Sequence, residues 1–270
     1  MELHIPALAP ETLFHIGKLP VTNTIINTWL AIIIFFALGL LLKKRIHLKP
    51  SKMQNFAEYF LEKLLGYFDQ VTGDRKKTMR FLPVVGYVFF FILLSNWLGL
   101  LPGTGSIKYG GEMLLRPANT DLNLTVAMAL VAVVSSHVFG LITVGVFTHL
   151  NKFFQIGTFI KSLAKGPVAI FTAIIELAVG LIEVVSEIAK VLSLSLRLFG
   201  NIFAGEVLIS VLSSLVAVAV PAPFMMLELL VGLIQAAVFT MLTLVYLTVA
   251  TAQPHGHEEK HEHVHSTPTN

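Results

Sequence analysis

The sequence predicts an all-α polytopic membrane protein with five membrane-inserted helices and a cytoplasmic-side amphipathic helix, the last two membrane helices being long, tilted and joined as a hairpin. Three observations carry that prediction. Of the 270 residues, 55% are hydrophobic and 13% are charged, whereas a soluble chain spends about 25% on Asp, Glu, Lys and Arg to cover its surface. Mean hydropathy is +0.77. Several charge-free runs are long enough to cross a hydrocarbon core of about 30 Å, which takes roughly 20 helical residues. Finally, the basic residues gather in particular connecting segments, so the net charge of +3 has to be read by position. The absence of cysteine removes thiolate metal sites, iron–sulfur clusters and Cys nucleophiles.

The first run, Val21 to Leu42, stops against Lys43, Lys44 and Arg45. A cleavable signal carries its positive charge before the apolar stretch, so this reads as an uncleaved span with residues 1–20 outside the membrane. Next, Ser51 caps a segment in which Met53, Phe56, Phe60, Leu61, Leu64, Leu65 and Phe68 recur at helical spacing opposite Glu58, Glu62, Lys63 and Asp69. Such a segment is an amphipathic helix lying on the inner membrane face. Phe81 to Leu101 is the second span, broken by Pro102, Gly103 and Gly105, and Leu122 to Phe147 is the third, entered through a turn and N-cap at Pro117 to Asp121. Fourteen Lys and Arg fall on the side of the first long loop, against three on the other, Lys18, Lys108 and Arg116. The positive-inside rule therefore puts the N-terminus outside and that loop in the cytoplasm.

From Pro167 to Val220 the chain is apolar and has no further Pro, yet it contains Glu176, Glu183, Glu187, Lys190, Arg197 and Glu206. An unbroken helix over the 52 residues from Val168 to Ala219 would be roughly 78 Å long and could not stand upright in the core. Either it splits into two crossings or it bends and tilts. The reading taken is two tilted helices, the second from Phe224 to Thr251, turning at Val220 to Pro223.

The charges on the first of these have a period. Glu176, Glu183, Lys190 and Arg197 are each seven apart, a spacing that drifts only about 20° around a straight helix. Glu187 is placed to pair with Lys190. Glu206, nine residues after Arg197, faces the opposite way, while Glu228 and Gln235 share a face of the last helix. An Arg at the centre of a span costs about 2.5–3.5 kcal/mol and cannot shed its charge, so it is kept where it meets water or a carboxylate. A fixed cation among titratable carboxylates suits the movement of protons without a leak. The plainer readings are an ion pair from Arg197 to Glu183 or Glu187 that only clamps helices, and interfacial carboxylates at Glu206 and Glu228 that reach water. His137 reads first as a helix-to-helix hydrogen bond. Residues 253–270, rich in His and Glu, read as a solvated disordered tail. No phosphate loop, dinucleotide fingerprint or nucleophile triad is present, so an enzyme that makes or breaks covalent bonds is not expected, nor is a nucleic-acid partner or a cofactor.

The run Leu194-Ser-Leu-Arg-Leu-Phe-Gly-Asn-Ile-Phe-Ala-Gly-Glu206 resembles the signature of subunit a of the F-type ATP synthase, the stator half of its membrane ion channel. Similarity continues through Gln235-Ala-Ala-Val-Phe and Leu242-Thr-Leu-Val-Tyr-Leu-Thr, and through Asn96-Trp-Leu-Gly-Leu-Leu-Pro102 and Arg116-Pro-Ala-Asn-Thr-Asp-Leu-Asn-Leu-Thr-Val-Ala-Met-Ala-Leu130. The resemblance covers residues 20 to 252. It implies a single membrane domain, 21–252, in a bacterial inner membrane, with its C-terminus cytoplasmic, two long helices cupping a ring of c subunits, and b-type peripheral stalk subunits as further partners. It places Arg197 on the family's essential arginine and puts Asn201, Glu206, Gln235, Glu183 and Ser193 on polar positions of two half-channels, with Asn123 near the outer mouth. Glu228 departs from the pattern, because the family often pairs one His with one Glu across the positions held here by Glu206 and Glu228. The rival reading is a self-contained proton channel or ion-coupled secondary transporter, against which stands the absence of internal repeats and paired broken helices.

Overall fold

The computed structural model describes residues 7–44, 50–101, 107–109, 111–149, 167–215 and 220–252. The chain opens on an antiparallel hairpin of β1 (Thr12–Ile16) and β2 (Leu19–Thr22), turned by Gly17 at φ 64°. This element was not expected, although an alternating segment followed by Gly17-Lys18 is a two-residue turn signal. The hairpin feeds directly into α1 (Asn23–Lys44). α2 (Lys52–Thr72) is capped by the Ser51 hydroxyl, which accepts from the Gln54 amide, and ends at Gly73 with φ 68°.

α3 (Arg75–Gly99) starts six residues before the apolar run, because the Asp74 carboxylate accepts from the Lys76 amide and nucleates the helix among charged residues. A second short hairpin, β3 (Lys108–Tyr109) with β4 (Glu112–Met113), leads to a 3-10 turn at Ala118–Thr120. Asp121 then caps α4 (Leu122–Val144), accepting from the Asn123 amide. Its other carboxylate oxygen accepts from the Thr24 hydroxyl at 3.2 Å, which ties the starts of α1 and α4 together. α4 ends at Val144, three residues short of the expected limit, because Gly145 adopts φ 94°.

The long apolar third is one uninterrupted helix, α5 (Pro167–Leu215), followed by α6 (Pro221–Thr251). At 49 residues, α5 is about 74 Å long, so the alternative of two separate crossings does not describe it. Residues 216–219, the His-rich tail from 253 and the side chain of Glu176 lie outside the described residues. Among the described residues four helical stretches are long and apolar enough to cross a membrane, Asn23–Leu41, Arg75–Gly99, Leu122–Val144 and Pro221–Thr251, and the chain is a membrane-embedded, mostly helical protein.

α6 is the packing centre and touches α2, α3, α4 and α5. Its buried Ala236, Phe239, Leu244 and Leu247 meet Val85, Val88, Phe89 and Ile92 of α3, Met128, Ala129 and Ala132 of α4, and Leu194, Leu198 and Ile202 of α5 in one cluster. Because lipid is as apolar as these side chains, close packing and interhelical hydrogen bonds hold helices together in a bilayer. Asn96 supplies such a bond to the Gly232 carbonyl at 3.3 Å and Trp97 another to the Leu229 carbonyl at 3.1 Å. α2 joins the core through Phe60, Leu64 and Phe68, while Met53 and Phe56 in its first turns remain exposed.

Candidate functional site

α5 presents two unlike faces. Leu194, Leu198 and Ile202, one turn apart, are buried against the bundle, as helical periodicity demands of a helix packed on one side. Ser193, Arg197, Gly200, Asn201 and Ala204 are exposed on the other. Among the described residues Arg197 forms no ion pair or hydrogen bond. The clamp to Glu183 or Glu187 is therefore not made. Glu183 is half-buried, and Glu187 turns to Lys190, whose Nζ lies 2.6 Å from Oε1.

Glu206 leaves that face, as its spacing predicts, and meets a partner ninety positions away. Arg116 grips its carboxylate through Nε at 2.8 and 3.1 Å and Nη2 at 3.0 Å. The same guanidinium donates to the carbonyls of Ala9 at 3.2 Å and Ala7 at 2.8 Å, and it is 4% exposed. Sequence reasoning missed this residue, counting Arg116 as an ordinary loop charge. Its neighbour Pro117, Asn119 bonded to Asn96 at 2.6 Å, and Asn27 bonded to the Arg116 carbonyl at 3.0 Å make the segment a buried, polar one instead.

On α6, Glu228 and Gln235 both face α5, as their seven-residue spacing requires. Gln235 Oε1 accepts from Asn201 Nδ2 at 2.7 Å. Glu228 packs its carboxylate against Gly205, where any Cβ would collide with it, and its Oε1 has no hydrogen-bond partner among the described residues. Of the two carboxylates expected to face each other, Glu206 is therefore held by Arg116, and Glu228 makes no ion pair among the described residues. Asn123 is exposed at the start of α4, with its backbone amide donating to the Asp121 cap. Ser193 is exposed one turn before Arg197.

The site thus brings Asn201, Gln235 and Glu228 to the α5–α6 contact, ties Glu206 to Arg116 and leaves Arg197 exposed.

A family model described as ATP synthase A chain matches residues 25–248. The chain is similar to a protein from Moorella thermoacetica named ATP synthase subunit a, 32% identical over 248 residues that cover 92% of this chain and 98% of that one. A protein of the same name from Gloeobacter violaceus is 34% identical, with 92% and 90% covered. Another from Mycobacterium ulcerans is 35% identical, with 85% and 86% covered.

Proposed function

Because the chain belongs to the ATP synthase A chain family, we propose that it is the stator subunit of the membrane ion channel of a rotary ATP synthase, moving protons past Arg197. The single observation that carries this reading is Arg197 itself, exposed on a long membrane-level helix without an ion pair among the described residues. A permanent charge at that depth costs about 2.5–3.5 kcal/mol unless a carboxylate or water meets it, and a partner bearing a carboxylate meets that requirement. A ring of c subunits is such a partner, and the small side chains Ser193, Gly200 and Ala204 beside Arg197 allow a partner helix to approach closely.

Residues 21–252 form one membrane domain in a bacterial inner membrane, with the N-terminus outside and the tail 253–270 in the cytoplasm. α5 and α6 are inserted as a tilted hairpin, making five membrane-inserted helices, and α2 lies on the cytoplasmic face near b-type stalk subunits. Protons enter by an outer half-channel containing Asn123, Glu206, Glu228, Gln235 and Asn201. They ride a c-subunit carboxylate around the ring and leave by an inner half-channel near Glu183 and Ser193. Arg197 separates the two paths by repelling free protons and drawing in a carboxylate that has lost its own. Each proton crossing 100 mV releases about 2.3 kcal/mol, so several must be coupled to each ATP. ATP chemistry occurs elsewhere in the complex.

The test is Arg197→Ala in the assembled complex. ATP-driven proton pumping into vesicles is expected to vanish while the complex still forms, and normal pumping by that variant would sink the reading. Cysteines beside Arg197 should cross-link oxidatively to a small ring subunit. Their failure to do so in a folded chain would favour a self-contained transporter.

A further inference from the structure

A second cluster of titratable groups, unused by the outer path, sits where α4 and α6 have their C-terminal ends. Gly145, at φ 94°, turns the chain after α4, and His149 comes back against the helix it has just left, its amide donating to the Gly145 carbonyl at 3.0 Å. Gly140 makes room for it, since a Cβ there would lie 2.7 Å from the His149 ring and 2.9 Å from the Ala250 carbonyl of α6. His149 is buried with its Nε2 3.2 Å from His137 Nδ1. The other nitrogen of His137, Nε2, is 3.4 Å from Glu187 Oε2, and Lys190 holds the remaining Glu187 oxygen. From α6 the ring of Tyr246 faces Lys190 at 5.1 Å, and from α3 Arg80 stands over Phe139 at 5.9 Å. Among the described residues no group of His, Asp and Glu has the geometry to hold a metal ion.

An imidazole can take a proton on one ring nitrogen and release another from the second. Two imidazoles in series, backed by a carboxylate with its own ammonium, form a relay with a resident counter-ion. We propose that His137 and His149 are the proton-relay residues at the cytoplasmic end of the inner half-channel. The proposal rests on the stator reading above. A proton arriving from the side of Glu187 forms an N–H bond at His137 Nε2. The Nδ1–H bond of that imidazolium breaks as its proton passes to Nε2 of His149, whose own Nδ1–H bond breaks in turn as that proton goes on towards the cytoplasmic side, and the reverse tautomer shift of both rings resets the relay. Glu187, ten residues before Arg197 and so about 15 Å along α5, stays anionic and stabilises the cation in transit.

The experiment uses inverted vesicles carrying the whole synthase, in which the cytoplasmic face meets the bath. His137→Ala and His149→Ala are expected to lower ATP-driven acidification about a hundredfold or more per assembled complex, the range of a positioned proton-transfer group. Imidazole added to the bath should restore several-fold of the loss in these variants and none in Arg197→Ala. His137→Gln and His149→Gln, which keep a hydrogen-bonding side chain but cannot carry a proton, should pump as poorly as the alanine variants. Normal pumping by the glutamine variants overturns the relay. So does a loss in the alanine variants that imidazole fails to restore once assembly has been measured. If the His variants pump normally while Arg197→Ala is dead, only the relay falls. If Arg197→Ala pumps, the stator reading itself falls.

Discussion

Arg116 and Glu206 show how much a single pairing decides. Removing one partner of a buried, hydrogen-bonded ion pair leaves the other charge without compensation, which costs about 3–5 kcal/mol, whereas neutralising both can cost little. Arg116→Gln is therefore expected to destabilise the subunit by about that amount, read as loss of assembled complex and lower thermal stability in detergent. Adding Glu206→Gln should recover most of it. A double variant no better than Arg116→Gln would mean that the guanidinium acts through the Ala7 and Ala9 carbonyls and not through the carboxylate. None of this was legible in the sequence, because the partners are ninety positions apart and no helical or strand period connects a loop residue to a helix face. The Glu187–Lys190 pair was legible for the opposite reason: three residues apart on one helix, they had to meet.

The same distinction holds for whole elements. α1, α3, α4 and α6 follow from uninterrupted apolar runs, and the unbroken α5 follows from the lack of any Pro after Pro167, its first residue, across its 49 residues. What the sequence could not supply is which glycines carry contacts. Gly205 holds the Glu228 carboxylate in the space of a missing side chain, so Gly205→Ala should push Glu228 off α5 and lower pumping. If that displacement is the whole effect, the loss in Glu228→Ala and in the double variant should be the same, a non-additivity expected of residues in contact. Additive losses in the cycle would show that Gly205 acts on something other than Glu228. At the end of α4, Gly145→Ala forces a Cβ into a backbone region nearly restricted to glycine and should cost about 1–3 kcal/mol. It should also separate His149 from His137, so its pumping defect is expected to respond to imidazole as the His149→Ala defect does.

Across the whole molecule, the side of α5 that turns inward is satisfied within the chain, and the side that bears Arg197 is not. Leu194, Leu198 and Ile202 are closed in by α4 and α6, whereas Ser193, Gly200 and Ala204 surround the cation with nothing large. Such a surface is costly to keep as a lipid-facing one, because a bare guanidinium gains no partner from acyl chains. It is economical if a second helix lies against it, since small residues let backbones approach. Gly200 separates these cases, because a Cβ built there meets no atom within 4 Å and the chain by itself has room for a large side chain. Gly200→Phe should leave the subunit as stable as before, or slightly more so, since glycine is about 1 kcal/mol worse than alanine inside a helix. Yet it should cut ATP-driven pumping by more than tenfold, because the ring cannot pass at close range over a bulky residue next to Arg197. Thermal stability of the isolated subunit and pumping by the assembled complex would be measured on the same variant. Unimpaired pumping would mean that no partner travels over this face, and the functional reading of Arg197 would go with it.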